Sequence, residues 1–173
     1  VKLIALFGLI VFGFTLAAKA DIWKANWSTG FSINKLEGNT LVPYSGFAVM
    51  GALAASLVGS LFSSDSWNNV TFIAGEIKNP SKNIGRSLFL GTLIVTIIYI
   101  ATNMMYLSVL SINEIAYAEN DRVGVVASQH IFGNSGTYII AILLMISTFG
   151  CNNGLILSGA RVYHTMAKDG LFF

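Results

Sequence analysis

Charge is what this 173-residue chain has least of: only 10% of its residues are Asp, Glu, Lys or Arg, against roughly 25% in a soluble globular domain. With 54% hydrophobic residues and a mean hydropathy of +0.69, that scarcity argues for a polytopic membrane protein. A lone cysteine, Cys151, leaves no disulfide framework to infer. The two histidines, His130 and His164, share no ligand spacing with Cys151 or the acids, which argues against a metal site. No serine, cysteine or acid pairs with a histidine at a motif spacing, and no Gly-rich phosphate cradle occurs, so neither an enzyme nor a cofactor is expected. The net charge of +2 is spread over separate loops rather than gathered into a basic stripe, so no nucleic-acid partner is expected.

What is present is apolar sequence in long runs, near residues 3–17, 46–62, 88–110 and 137–160. A helix needs about 20 apolar residues to span a bilayer, which predicts membrane segments at about 1–18, 45–75, 87–110 and 136–163. Leu88 to Leu110 is apolar on nearly every side instead of alternating, so a membrane barrel is set aside and the fold class is all-α. No repeat or low-complexity linker divides the chain, and residues 1–173 read as a single transmembrane domain. Val1 in place of a methionine, and the short run beginning at Lys2, suggest a fragment of a longer protein. A signal peptide is disfavoured because no small-residue cleavage pattern opens onto a soluble domain.

Loop charge gives an orientation. Lys78, Lys82 and Arg86 against Glu76 place the 74–86 connection inside by the positive-inside rule, and Arg161 with Lys168 place the C-terminal end there too. Glu114, Glu119 and Asp121 against Arg122 place the 111–136 loop outside. The 18–44 connection carries Lys19, Lys24 and Lys35 beside Asp21 and Glu37; its charge argues weakly against an outside position, but alternation puts it there. Trp23 and Trp27 suit an interfacial aromatic belt. Asn26-Trp27-Ser28 and Asn69-Val70-Thr71 match the glycosylation pattern and are assigned no function.

Function is expected where Phe62-Ser63-Ser64-Asp65-Ser66-Trp67-Asn68-Asn69 interrupts an apolar run. In lipid a helix-weakening polar stretch survives only where it lines a cavity or packs against protein. Breaking a helix there frees carbonyls from one half and N–H groups from the other, and such termini bind ions and zwitterions; the bland alternative is a kinked but intact helix. An unpaired charge on Asp65 would cost on the order of 3 kcal/mol, so it needs a partner or a proton. It either attracts a substrate ammonium, carries a coupling proton, or caps the second half-helix. Lys2 either snorkels to the interface or points into the bundle. Ser147, Thr148, Cys151, Asn152 and Asn153 form a polar face that could meet a cation or another helix. The small-residue ridges through Ala48, Ala52, Ser56 and Ser60, and through Gly51, Ala55, Gly59 and Ser63, read as helix-packing surfaces, as do Gly150, Gly154 and Ser158.

The stretch from Phe62 to Asn68, followed by Gly75-Glu76-Ile77-Lys78-Asn79-Pro80-Ser81-Lys82-Asn83-Ile84-Gly85-Arg86, resembles the amino acid–polyamine–organocation permeases. Ala160-Arg161 through Met166-Ala167-Lys168-Asp169-Gly170 supplies a second matching motif, and the L-type amino acid transporter branch is most similar. The resemblance implies a partial LeuT-like inverted-repeat fold in which this chain supplies helices five to eight, with the sixth broken. It implies a substrate site formed by Phe62 as aromatic gate, carbonyls around Phe62, Ser63 and Asp65, neighbouring Ser64, and lining by Trp67 and Asn68. It also implies that Lys2 stands in for a sodium ion near Ser147, Thr148 or Cys151 on helix eight. The family's glycine-rich break in helix one, which holds the substrate carboxylate, has no counterpart here. Asp65 and Ser66 stand where the branch commonly has glycine, which leaves cationic substrates or proton coupling open, and Gly85 replaces a frequent proline.

These readings converge on a secondary transporter that moves amino acids across a plasma or inner membrane by alternating access. Its partners would be an amino acid substrate, the lipid bilayer, the remaining helices of the full-length transporter and, where coupling occurs, a proton. The alternative from another class is a non-transporting helical scaffold or assembly subunit. A channel is disfavoured because Leu88 to Leu110 offers mainly Thr92, Thr96, Thr102 and Asn103 as polar lining.

Overall fold

Segments that are apolar on every face and lie in lipid must satisfy their backbone within themselves, which selects helix. The computed structural model describes residues 2–28, 32–37, 40–64 and 67–172. Its first helix, α1 (Lys2–Phe12), continues as a π-helical turn over Gly13–Ala17. A second helix, α2 (Ala20–Ser28), leaves that axis at 102°. After it, β1 (Asn34–Glu37) and β2 (Thr40–Pro43) form an antiparallel hairpin, Asn34 opposite Pro43 and Glu37 opposite Thr40. That hairpin is a loop decoration on an otherwise all-α architecture.

Next come α3 (Ala48–Ser63) and a 3₁₀ segment (Trp67–Glu76). They are followed by α4 (Pro80–Val109), α5 (Ile112–Ala116), α6 (Val123–Phe132) and α7 (Gly136–Lys168). The stretches Pro80–Val109 and Val123–Lys168 are long and apolar enough to cross a membrane, and the bent pair of α1 and α2 would add a third if it forms one span. The second stretch is not straight. Ser128 Oγ donates to the Gly136 carbonyl at 2.8 Å and Gln129 Nε2 to Thr137 Oγ1 at 2.8 Å. Residues eight apart on one straight helix would be separated by about 12 Å, so the chain turns back between α6 and α7, at Gly133 with φ 62° and ψ −146°.

The buried centre lies at one end of the molecule, where Leu9, Met105, Val109, Leu110 and Ala127 pack together. It joins α1, the last turn of α4 and α6, with Phe12 edge-on to Phe132 at 5.6 Å. Gly13 lies against the Met105 side chain, and a Cβ there would overlap it. Where helices meet in lipid, close packing of this kind, rather than transfer from water, holds them together. Helix α3 is exposed along nearly its whole length, and none of its described residues belongs to this cluster.

Candidate functional site

Helix α3 stops where its sequence turns polar. Ser64 leaves helical geometry at φ −100° and ψ 8°. Its hydroxyl folds back to donate to the Ser60 carbonyl at 2.8 Å and the Leu61 carbonyl at 3.3 Å. Serine competes with the backbone in this way because its short side chain reaches the preceding turn. Asp65 and Ser66 lie outside the described residues, and the chain resumes at Trp67. From there it winds not as an α-helix, as a simple broken span would have it, but as ten residues of 3₁₀ helix. Such runs seldom exceed three or four residues, and long ones mark hinges or strained sequence.

Flanking the break, Phe62 is 85% exposed and Trp67 61% exposed, so both rings stand out from the helices that carry them. The side chains of Ser63 and Asn68 lie outside the description; their backbones belong to the last residue of α3 and to the first turn of the 3₁₀ segment. The break brings Ser64 and Trp67 to one cleft beside the carbonyl end of α3, whereas Phe62 is not among that cleft's lining residues.

Beside it opens a cleft of about 480 Å³ between the break and α4, lined by Ser64, Trp67, Val70, Leu88, Thr92, Thr96 and Tyr99 among others. A second hollow of about 470 Å³ shares Ser64, Thr96 and Tyr99 and extends to Ser60, Asn103 and Trp27 of α2. Both fall within the range of small-molecule sites, roughly 300–1,000 Å³. The described lining residues carry no charge. Thr92 Oγ1 donates to Leu88 at 2.8 Å, Thr96 Oγ1 to Thr92 at 2.8 Å, and Asn103 Nδ2 to Tyr99 at 2.8 Å, in each case to a backbone carbonyl. A hydroxyl whose proton is committed to its own helix meets a ligand only as an acceptor. This face of α4 thus suits an uncharged hydrogen-bond donor. Sequence reading noted Thr92, Thr96 and Asn103 only as too sparse for a channel; their spacing of four and seven on one helix face was the available signal.

The junction from the 3₁₀ segment into α4 explains the Glu76-to-Arg86 motif. Asn79 adopts the left-handed conformation at φ 51° and ψ 60°, and Pro80 opens the helix. Asparagine tolerates that conformation better than most residues, and proline suits a first turn where its missing N–H is not needed. Asn83 Nδ2 then donates to the Lys78 carbonyl at 2.6 Å, fastening the turn.

Of the residues expected to mimic a cation site, Ser147 is half-buried while Thr148 and Cys151 are exposed on α7. Thr148 Oγ1 donates to the Leu144 carbonyl at 2.9 Å. Helix α7 runs beside both α1 and the 3₁₀ segment, so the elements carrying Lys2, the break and the α7 polar face are neighbours. The Lys2 side chain lies outside the description. Among the described residues no group of three or more His, Cys, Asp or Glu is placed to hold a metal ion.

Comparison with known proteins gives these features a context. The family model described as "Amino acid permease" matches residues 1–173. The chain is 32% identical over 167 residues to the serine/threonine exchanger SteT of Bacillus subtilis (strain 168), covering 96% of this chain and 34% of the relative. It is 25% identical over 121 residues to the human b(0,+)-type amino acid transporter 1, covering 70% and 24%. To the mouse Asc-type amino acid transporter 1 it is 26% identical over 121 residues, covering 70% and 22%. The chain thus spans about a third or less of the length of these relatives. No solved structure matches it.

Proposed function

Because this chain belongs to the amino acid permease family of multi-pass membrane proteins, we propose that it forms the substrate-gating part of a secondary transporter that moves amino acids by alternating access. The observation that carries the reading is the interruption of α3 at Ser64, with an exposed aromatic on either side and a cleft of small-molecule size alongside. A helix C-terminus presents partial negative charge, which suits the substrate ammonium. Discontinuous membrane helices are where transporters commonly place such sites.

In this reading Phe62 is the gate, the carbonyls of Phe62, Ser63 and Asp65 receive the ammonium, and Ser64, Trp67 and Asn68 complete the wall. The Asp65 carboxyl either adds attraction for the ammonium or carries a coupled proton. Lys2, with Ser147, Thr148 and Cys151, replaces a coupling cation between α1 and α7. The helices before and after complete a LeuT-like bundle. The similarity to a serine/threonine exchanger makes small hydroxylated amino acids the first substrates to try, in keeping with the acceptor face of α4.

The test is uptake of a panel of radiolabelled amino acids into proteoliposomes holding the full-length protein, with Phe62→Ala and Asp65→Asn, across a pH gradient. Saturable uptake reduced at least tenfold by Phe62→Ala is expected, about the loss of one strong contact. Loss of pH dependence in Asp65→Asn assigns that acid to coupling; pH dependence that survives removes it. No uptake of any amino acid under any gradient would overturn the reading and favour the scaffold.

A further inference from the structure

Asn26 sits in a triplet that fits the glycosylation pattern, yet it is only 5% exposed. Its Nδ2 donates to the carbonyls of Leu107 at 2.9 Å and Leu110 at 2.7 Å, and its Oδ1 accepts from the Ile112 backbone N–H at 3.1 Å. These are groups that helix ends leave without partners: Leu107 lies in the last turn of α4, Leu110 is its C-cap, and Ile112 opens α5. Alongside, the Lys19 backbone N–H donates to the Ser108 carbonyl at 3.0 Å. Helix α2 thereby supplies, from far away in sequence, partners for groups that the Ser111–Glu114 capping box of α5 does not reach.

We propose that Asn26 is a positioning residue that bolts α1 and α2 to the α4–α5 corner, so that this end of the molecule travels as one block while α3 moves against it. The buried cluster points the same way: Leu9 of α1, Met105 and Val109 of α4 and Ala127 of α6 interlock, and among the described residues none from α3 joins them. A glycan on Nδ2 would displace at least one of the two carbonyl bonds, so the Asn26 triplet is not modified in the folded protein. The effect on transport rests on the proposed transporter function; the bolt itself does not.

The experiment uses the full-length protein in proteoliposomes. Asn26→Asp keeps the size and removes the donors. Its maximal uptake rate per folded molecule is expected to fall about tenfold while KM stays within about twofold, the pattern of a lost conformational step rather than lost substrate binding. Hydrogen exchange at the Ile112 amide should quicken at least about tenfold, because the new carboxylate is repelled by the Leu107 and Leu110 carbonyls and turns away from it. A disulfide between Lys19→Cys and Ser108→Cys should leave the wild-type rate unchanged and restore the rate of Asn26→Asp. A crosslink that stops transport overturns the inference, as does Asn26→Asp with wild-type rate and wild-type Ile112 exchange. If Asn26→Asp does not fold, the crosslinked protein carrying Asn26 decides alone. If the wild type carries no amino acid, the transporter function fails, and exchange at Ile112 still reports on the bolt.

Discussion

Single atoms decide several positions. A Cβ on Gly136 would run into the backbone carbonyl of Ser128, which cannot rotate away as a side chain could. Gly136→Ala should therefore destabilise the α6–α7 turn by about 3 kcal/mol, the upper range of overpacking costs. Gly85→Ala, in the first turns of α4 with nothing within 4 Å of the added atom, should instead stabilise by about 0.5–1 kcal/mol through helix propensity. Melting temperatures of the two variants in detergent check the contrast; equal shifts would contradict it. At Glu114, the Ser111 backbone N–H at 2.8 Å is the chief cause holding the carboxyl below its ordinary 4.5, helped by the Ser111 hydroxyl, His130 and Lys19 and opposed by partial burial. A depressed carboxyl stabilises above its unfolded value and loses that contribution as pH falls through the lower folded value. Protection of the Ile115 amide, which closes α5 onto the Ser111 carbonyl, should fade below about pH 4.5 in the wild type. In Glu114→Gln it should not depend on pH in that window; coincident profiles would remove Glu114 from the account.

At the scale of elements, the cleft beside α4 makes a specificity prediction. Thr92→Val and Thr96→Val keep shape and remove an acceptor, and a hydrogen bond of this kind is worth about 1 kcal/mol net. The paired variant should lower uptake of serine and threonine relative to alanine and valine by about tenfold, read from competition against a labelled substrate. An unchanged ranking, with altered expression only, would mean that the cleft holds another helix. How much of these elements the sequence announced depends on the range of the forces involved. The interruption at Ser64 is local chemistry, so composition revealed it, whereas α4 begins at Pro80, inside the 74–86 stretch whose charge read as a connection. The 3₁₀ character of Trp67–Glu76 was not legible, because its residues have no periodicity of their own and only their setting selects the tighter winding. Nor was the hairpin after α2, since four-residue strands carry too little alternation to stand out. Ser111-x-x-Glu114 was a readable capping box that announces α5.

For the whole molecule, the all-α membrane class came from scarce charge and long apolar runs, and the permease family from motifs at the end of α3, at the entry to α4 and at the end of α7. What joins the helices was hidden. Asn26 offered only a match to the glycosylation pattern, with no function assigned, because its partners, Leu107, Leu110 and Ile112, become neighbours only once α1 turns by 102° into α2. Long-range caps leave no local pattern. The winding of the 3₁₀ segment bears on the mechanics of the entire protein. Ten residues of 3₁₀ helix reach about 20 Å, whereas the same ten wound as α-helix reach about 15 Å. Rewinding Trp67–Glu76 would draw its two ends about 5 Å together, one helical pitch. The rod that leads from Trp67 to the α4 entry therefore holds its two ends about 5 Å farther apart than an α-helix of the same ten residues would.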